Sequence, residues 1–127
     1  MGSATKVWPT LRYRDVRAAG RFLVEAFGFE ELAVYEEDGV VGHAELRWPP
    51  GGGVMLGWAH DEITRPSSAS VYVVTDDPDG LCVRAQAAGA AIVRGPEDMD
   101  YGSREFSARD PEGVVWSFGT YAGAATD

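Results

Sequence analysis

The sequence predicts an α+β fold in which one β-α-β-β-β unit occurs twice, the two units together forming a cupped mixed sheet with the helices outside. Three observations carry this. Strand-like and helix-like runs follow in the same order at about 6–59 and about 70–121. Each helical run opens on an aspartate and closes on a glycine. A polar stretch at about 60–69, containing Pro66-Ser67-Ser68, separates the halves. With 127 residues the chain is expected to be a single domain spanning 1–127.

The elements justify themselves in order. Residues 7–13, VWPTLRY, are aromatic and β-branched and predict a strand. Asp15 stands at a helix N-cap position. Val16, Ala19, Gly20, Leu23, Ala26 and Phe27 follow at helical spacing, and Gly28 suits the terminating position. Strands are predicted at about 30–37, 40–48 and 53–59. Asp38-Gly39 marks the first turn between them, and Pro49-Pro50-Gly51-Gly52-Gly53 the second. In the second half, SVYVVT at 70–75 reads as a buried strand, and Asp77-Pro78 as a cap followed by proline at the first helical position. Leu81, Cys82, Ala85 and Ala88 share a helical face that Gly89 ends. Strands at about 91–95, 103–109 and 113–120 complete the unit, with Asp110-Pro111-Glu112-Gly113 as the last turn.

Composition narrows the partners. Twenty acidic residues against eleven basic ones give a formal charge of -9, which argues against nucleic acid and anionic membrane surfaces as partners. The same charge suits a cationic ligand, and equally it serves solubility alone. Cys82 is the single cysteine, so no internal disulfide is expected, in keeping with a reducing, cytoplasmic setting. No apolar run reaches about 18 residues, and MGSATKVWP has no apolar signal-peptide core.

Two stretches carry a family likeness. The run R-E-F-x-x-R-D-P-E-G-x-x-W-x-F, Arg104 to Phe118, is the more specific, and R-D-V-x-x-A-x-x-F-x-x-x-x-F-G-F, Arg14 to Phe29, is consistent with it. With the repeated unit order, they make the chain resemble the vicinal oxygen chelate superfamily of glyoxalase I, fosfomycin-modifying enzymes, extradiol dioxygenases and bleomycin-resistance proteins. The likeness spans nearly the whole chain and is greatest to the bleomycin-resistance and glyoxalase-like branches. It implies the glyoxalase/bleomycin-resistance fold and a homodimer, with exchange of the first strand at the stiff Trp8-Pro9 step left open.

The resemblance also implies where the family's enzymes hold a divalent metal. Carried over one at a time, those positions fall on Trp8, on or beside Leu56, on Ser70 and, four residues after Gly113, on Ser117. None of these side chains holds a divalent ion in water. No metal, cofactor or catalytic residue is therefore assigned. His43 and Glu45, two apart on a strand, share a face and are the alternative metal pair; a plain polar strand face is the other reading. His60 with Asp61-Glu62 reads as a solvated loop. No nucleophile elbow or dinucleotide fingerprint is present.

If Trp8, Ser70 and Ser117 point into the cup, alternation adds Thr10 and Arg12, Tyr72 and Val74, Val54 and Trp58 beside Leu56, and Val115. Leu11, Tyr13, Trp116 and Phe118 then turn under the helices. Tyr101 and Arg104 would rim the cup, unless Arg104 is engaged by Glu105 or another acid. The expected ligand-binding set is thus Trp8, Arg12, Leu56, Trp58, Ser70, Tyr72, Tyr101, Arg104 and Ser117. Such a surface favours non-catalytic binding of a small aromatic or cationic molecule, with antibiotic sequestration as the specific version. The alternatives are a metal-dependent lyase, isomerase or dioxygenase with a displaced metal site, and a regulatory module that keeps only the fold.

Overall fold

Each helix begins where an aspartate carboxylate satisfies an open turn. Asp15 accepts the backbone N–H of Ala18 at 3.0 Å, and Asp77 accepts that of Gly80 at 3.0 Å. The computed structural model that shows this describes residues 5–61, 66 and 68–124. The middle of the predicted linker, including Glu62, lies outside them. The chain divides into two compact units, one ending at Ser68 and the other starting at Ala69.

The first unit contains β1 (Thr10–Tyr13), α1 (Val16–Phe22), a π-helical turn (Leu23–Phe27), β2 (Glu30–Glu37), β3 (Val40–Arg47) and β4 (Gly53–Trp58). Its strands lie in the order β1-β4-β3-β2. β1 runs parallel to β4, and the other neighbours are antiparallel. The wider π-helical turn carries Leu23, Ala26 and Phe27 into the core and ends at Gly28, whose φ of 91° only glycine takes without cost. Leu11, Tyr13, Ala44, Leu46, Val54 and Leu56 meet the helix from the sheet and are buried. Gly20 faces Leu56 across this contact, where a Cβ would stand at an ordinary 3.7 Å.

The second unit repeats the order: β5 (Ser70–Val74), α2 (Pro78–Ala87), β6 (Ala91–Asp98), β7 (Arg104–Arg109) and β8 (Val115–Gly119), with the sheet order β5-β8-β7-β6. Phe106, Trp116 and Phe118 are fully buried, and Phe106 stacks on Phe118 at 5.2 Å. Cys82 is buried too, and burial raises its thiol pKa. β6 runs three residues beyond the predicted strand, through Gly95-Pro96. As an edge strand it tolerates a proline that cannot join the ladder, and its register shifts between Arg94 and Glu97.

The turn before β8 explains much of the Arg104–Phe118 motif. Asp110, 5% exposed, accepts the N–H groups of Glu112 and Val114 on Oδ1 and the indole N–H of Trp116 on Oδ2, each at 3.0 Å. The turn at the same place in the first unit uses glycine instead, with φ of 148° at Gly51 and 93° at Gly52. Among the described residues, no helix is long and apolar enough to cross a membrane.

Candidate functional site: a tyrosine-lined cleft over a buried carboxylate

Strand alternation in the second unit sorts its side chains by size. Phe106, Ala108, Trp116 and Phe118 are buried in the core, so Glu105, Ser107 and Ser117 take the opposite face. Tyr72 stands opposite Ser117 in the register, and Arg94 opposite Ser107. Ser70, two residues before Tyr72, lies on the same face. Ser107 and Ser117 join hydroxyl to hydroxyl at 2.7 Å.

On this face Tyr72, Tyr101, Tyr121 and Glu105 line a cleft of about 460 Å³. Glu105 is 5% exposed, whereas Tyr72, Tyr101 and Tyr121 are 42%, 54% and 44% exposed. The Tyr101 hydroxyl donates to the Glu105 carboxylate at 2.6 Å. Arg94 reaches the other carboxylate oxygen at 3.5 Å. Its Nε is buried without a hydrogen bond among the described residues and stands 4.0 Å from the Glu97 carboxylate. The Tyr72 hydroxyl donates to the Tyr121 carbonyl at 2.6 Å, and the Tyr121 N–H donates to the Ser103 hydroxyl at 3.1 Å. The segment after β8 is thereby fixed, with the rings of Tyr101 and Tyr121 at right angles, 6.0 Å apart. Gly119 makes room beneath: a Cβ there would fall 2.5 Å from Glu105 Cγ and 2.6 Å from the Tyr72 hydroxyl.

This hydrogen bonding shifts the tyrosines. The bond to Glu105, first, and then desolvation push the Tyr101 pKa up to about 12; burial, as the largest cause, raises that of Tyr72. Between pH 10 and about 12 the folded protein therefore holds a proton that an unfolded tyrosine loses. The stabilisation is fully present below pH 10 and disappears as pH rises through about 12. Glu105→Gln is expected to return Tyr101 toward 10, seen as an earlier step in phenolate ultraviolet absorbance. An unchanged titration in that variant would contradict the assigned cause.

The first unit presents a different helix-free face. The Trp8 ring covers Gly53, and the Arg12 guanidinium covers Gly57. Glu45 stands beside Met55 in the register and His43 beside Gly57. His43 and Glu45 share a 2.9 Å contact, with Tyr35 5.7 Å from the imidazole. A second hollow, about 340 Å³, lies between α1 and β2–β3 over an aliphatic floor of Val34, Val41, Ala44 and Leu46. It has no aromatic ring and no buried charge.

Several expected site residues go elsewhere. Leu56 and Val54 turn toward α1, not away from it. β4 pairs with β1 so that Leu56 faces Leu11 and Gly57 faces Arg12, and paired residues share a face. Trp58, at the strand end, lies against His60 at 4.7 Å and lines a hollow with Tyr35 and His43. Arg104 does not rim the cleft. It shares the parity of buried Phe106 and bonds Asp79 of α2 at 2.9 Å and Asp98 at 3.2 Å, and these bonds raise its pKa. Its acids are thus Asp79 and Asp98, while Glu105 belongs to Tyr101. Tyr72 and Tyr101 are brought together; Ser117 lies on the same face; Trp8 and Arg12 share a face of the first unit. Glu105, Arg94 and Tyr121 were missed, although the parity of Phe106 points Glu105 away from the core.

The donors at the four positions carried over do not fit a divalent metal. Leu56 is turned under α1, the Ser117 hydroxyl is engaged by Ser107, and Trp8 and Ser70 add no carboxylate or imidazole. Among the described residues, no three His, Cys, Asp or Glu side chains stand together as a metal cluster.

A duplicated β-α-β-β-β unit with this motif defines a class: the chain belongs to the Glyoxalase/Bleomycin resistance protein/Dioxygenase superfamily, whose model matches residues 7–118. It is similar to TioX from Micromonospora sp. ML1, with 34% identity, a TM-score of 0.79, and coverage of 93% of this chain and 98% of that one. The Mycobacterium bovis protein Mb0911c is 34% identical over 125 residues, 87% of this chain and 80% of its own. A Burkholderia phytofirmans PsJN family enzyme shares the fold, with TM-score 0.74 and 20% identity over 91% of this chain and 98% of its own.

Proposed function

We propose that this protein is a non-catalytic binder of a small aromatic or cationic molecule, with antibiotic sequestration as the specific form. The observation that carries this reading is the cleft in which three half-exposed tyrosines surround one buried carboxylate. Rings offer stacking area at low entropic cost, and the carboxylate favours a positive guest. The net charge of -9 works in the same direction by drawing cations toward the molecule. The protein acts as a homodimer in this reading, as its family resemblance implies.

Isothermal titration against bleomycin-type and other cationic aromatic drugs tests the reading, with light scattering on the same samples. Saturable heat, with a dissociation constant on the order of micromolar or tighter, and a mass of two chains are expected. Absence of heat with every such drug would remove the proposal, and a monomer that binds would remove its dimeric part.

A further inference from the structure

We infer that the cleft of the second unit is an aromatic cage for a quaternary ammonium group: Tyr101 and Tyr121 stand as perpendicular walls, Tyr72 closes a third side, and Glu105 supplies the charge beneath. The inference rests on the small-molecule reading above and names the chemistry of the guest. A quaternary ammonium has no N–H with which to satisfy a carboxylate directly. It is held instead by ring faces, whose quadrupoles attract a diffuse cation and whose carbon surface covers the methyls. The cleft has that character.

Its tyrosines are 42–54% exposed, which leaves apolar surface open to a guest, whereas Glu105 is 5% exposed and already accepts the Tyr101 hydroxyl at 2.6 Å. Both carboxylate oxygens already face a donor, and the group is nearly closed to solvent, so a primary ammonium or guanidinium has little access for a direct bond. A quaternary ammonium acts through the field and leaves the Tyr101 bond in place. Arg94, 3.5 Å from the other carboxylate oxygen, offsets part of the negative charge, so the rings carry most of the selectivity. The Tyr72–Tyr121 and Tyr121–Ser103 hydrogen bonds hold the Tyr72 ring and the Tyr121 backbone in position before any guest arrives, which lowers the cost of ordering them.

The test uses the full chain and three probes: choline, its uncharged tert-butyl carbon isostere, and quinoline as a neutral planar ring. Choline is expected to bind at least tenfold more tightly than the isostere, with the tyrosine ring resonances shifting on addition. Glu105→Gln should reduce that ratio, Tyr101→Phe should largely retain it because the ring persists, and Tyr101→Ala should abolish it. Circular dichroism confirms that each variant is folded. Equal affinity for choline and the isostere overturns the cage. So does failure of choline to bind a protein that still takes quinoline, an outcome that leaves the broader reading standing. Failure of all three probes and of the cationic drugs removes both.

Discussion

Asp110→Ala is expected to lower the unfolding free energy by about 3 kcal/mol, because it strands two buried donors at once. The Trp116 indole N–H and the Val114 backbone N–H both end on this carboxylate, and Trp116 is fully buried. A buried donor left without an acceptor costs roughly 1–3 kcal/mol, and network neighbours suffer together. The Glu112 N–H, less enclosed, finds water instead. For a chain of this size the loss corresponds to a fall of roughly 10 °C in melting temperature. Asp110→Asn keeps one acceptor oxygen and should fall between the two. Urea unfolding of the three proteins decides the matter: a midpoint for the alanine variant within error of the parent would show that the turn does not depend on its carboxylate.

Gly119→Ala has the larger effect on the site. The added methyl would stand 2.5 Å from Glu105 Cγ and 2.6 Å from the Tyr72 hydroxyl, closer than packed atoms approach. Both side chains must swing away, and with them go the Tyr72 bond to the Tyr121 carbonyl and the Tyr101 bond to Glu105. The fold should survive at a cost of about 1–3 kcal/mol, typical of overpacking. Binding of any guest in the cleft should fall at least a hundredfold, equivalent to about 2.7 kcal/mol. Calorimetry and thermal melting on the same variant separate the outcomes: full binding in a stable variant would place the guest elsewhere.

The sequence made the scaffold readable because its signals are local. Asp15 and Asp77 cap helices through atoms three residues away, Gly28 ends one in the only conformation that fits, and Asp110 closes its own turn. The pairing of strands was less readable. Leu56 could be assigned to either face of β4 from alternation alone; the parallel register with β1 puts it under the helix, and no residue near it in sequence announces that register. Arg104 misled for a related reason. It is a long cation beside Glu105, yet successive strand residues face opposite ways, so its partners are Asp79 on α2 and Asp98 on β6. Tyr121 lies beyond the last strand, in a segment without periodicity, and reaches the cleft only through its hydrogen bonds to Tyr72 and Ser103.

The arrangement around Asp110 also bears on how likeness within this superfamily should be interpreted. The part of the kinship motif from Asp110 to Trp116 is a fastening, spent on locking a tryptophan and a loop together, whereas Glu105 at the start of the same motif lines the cleft. Two proteins can agree from Asp110 to Trp116 and still carry unrelated cargo; Glu105, the tyrosines and the glycine beneath them are where a change of guest would be written.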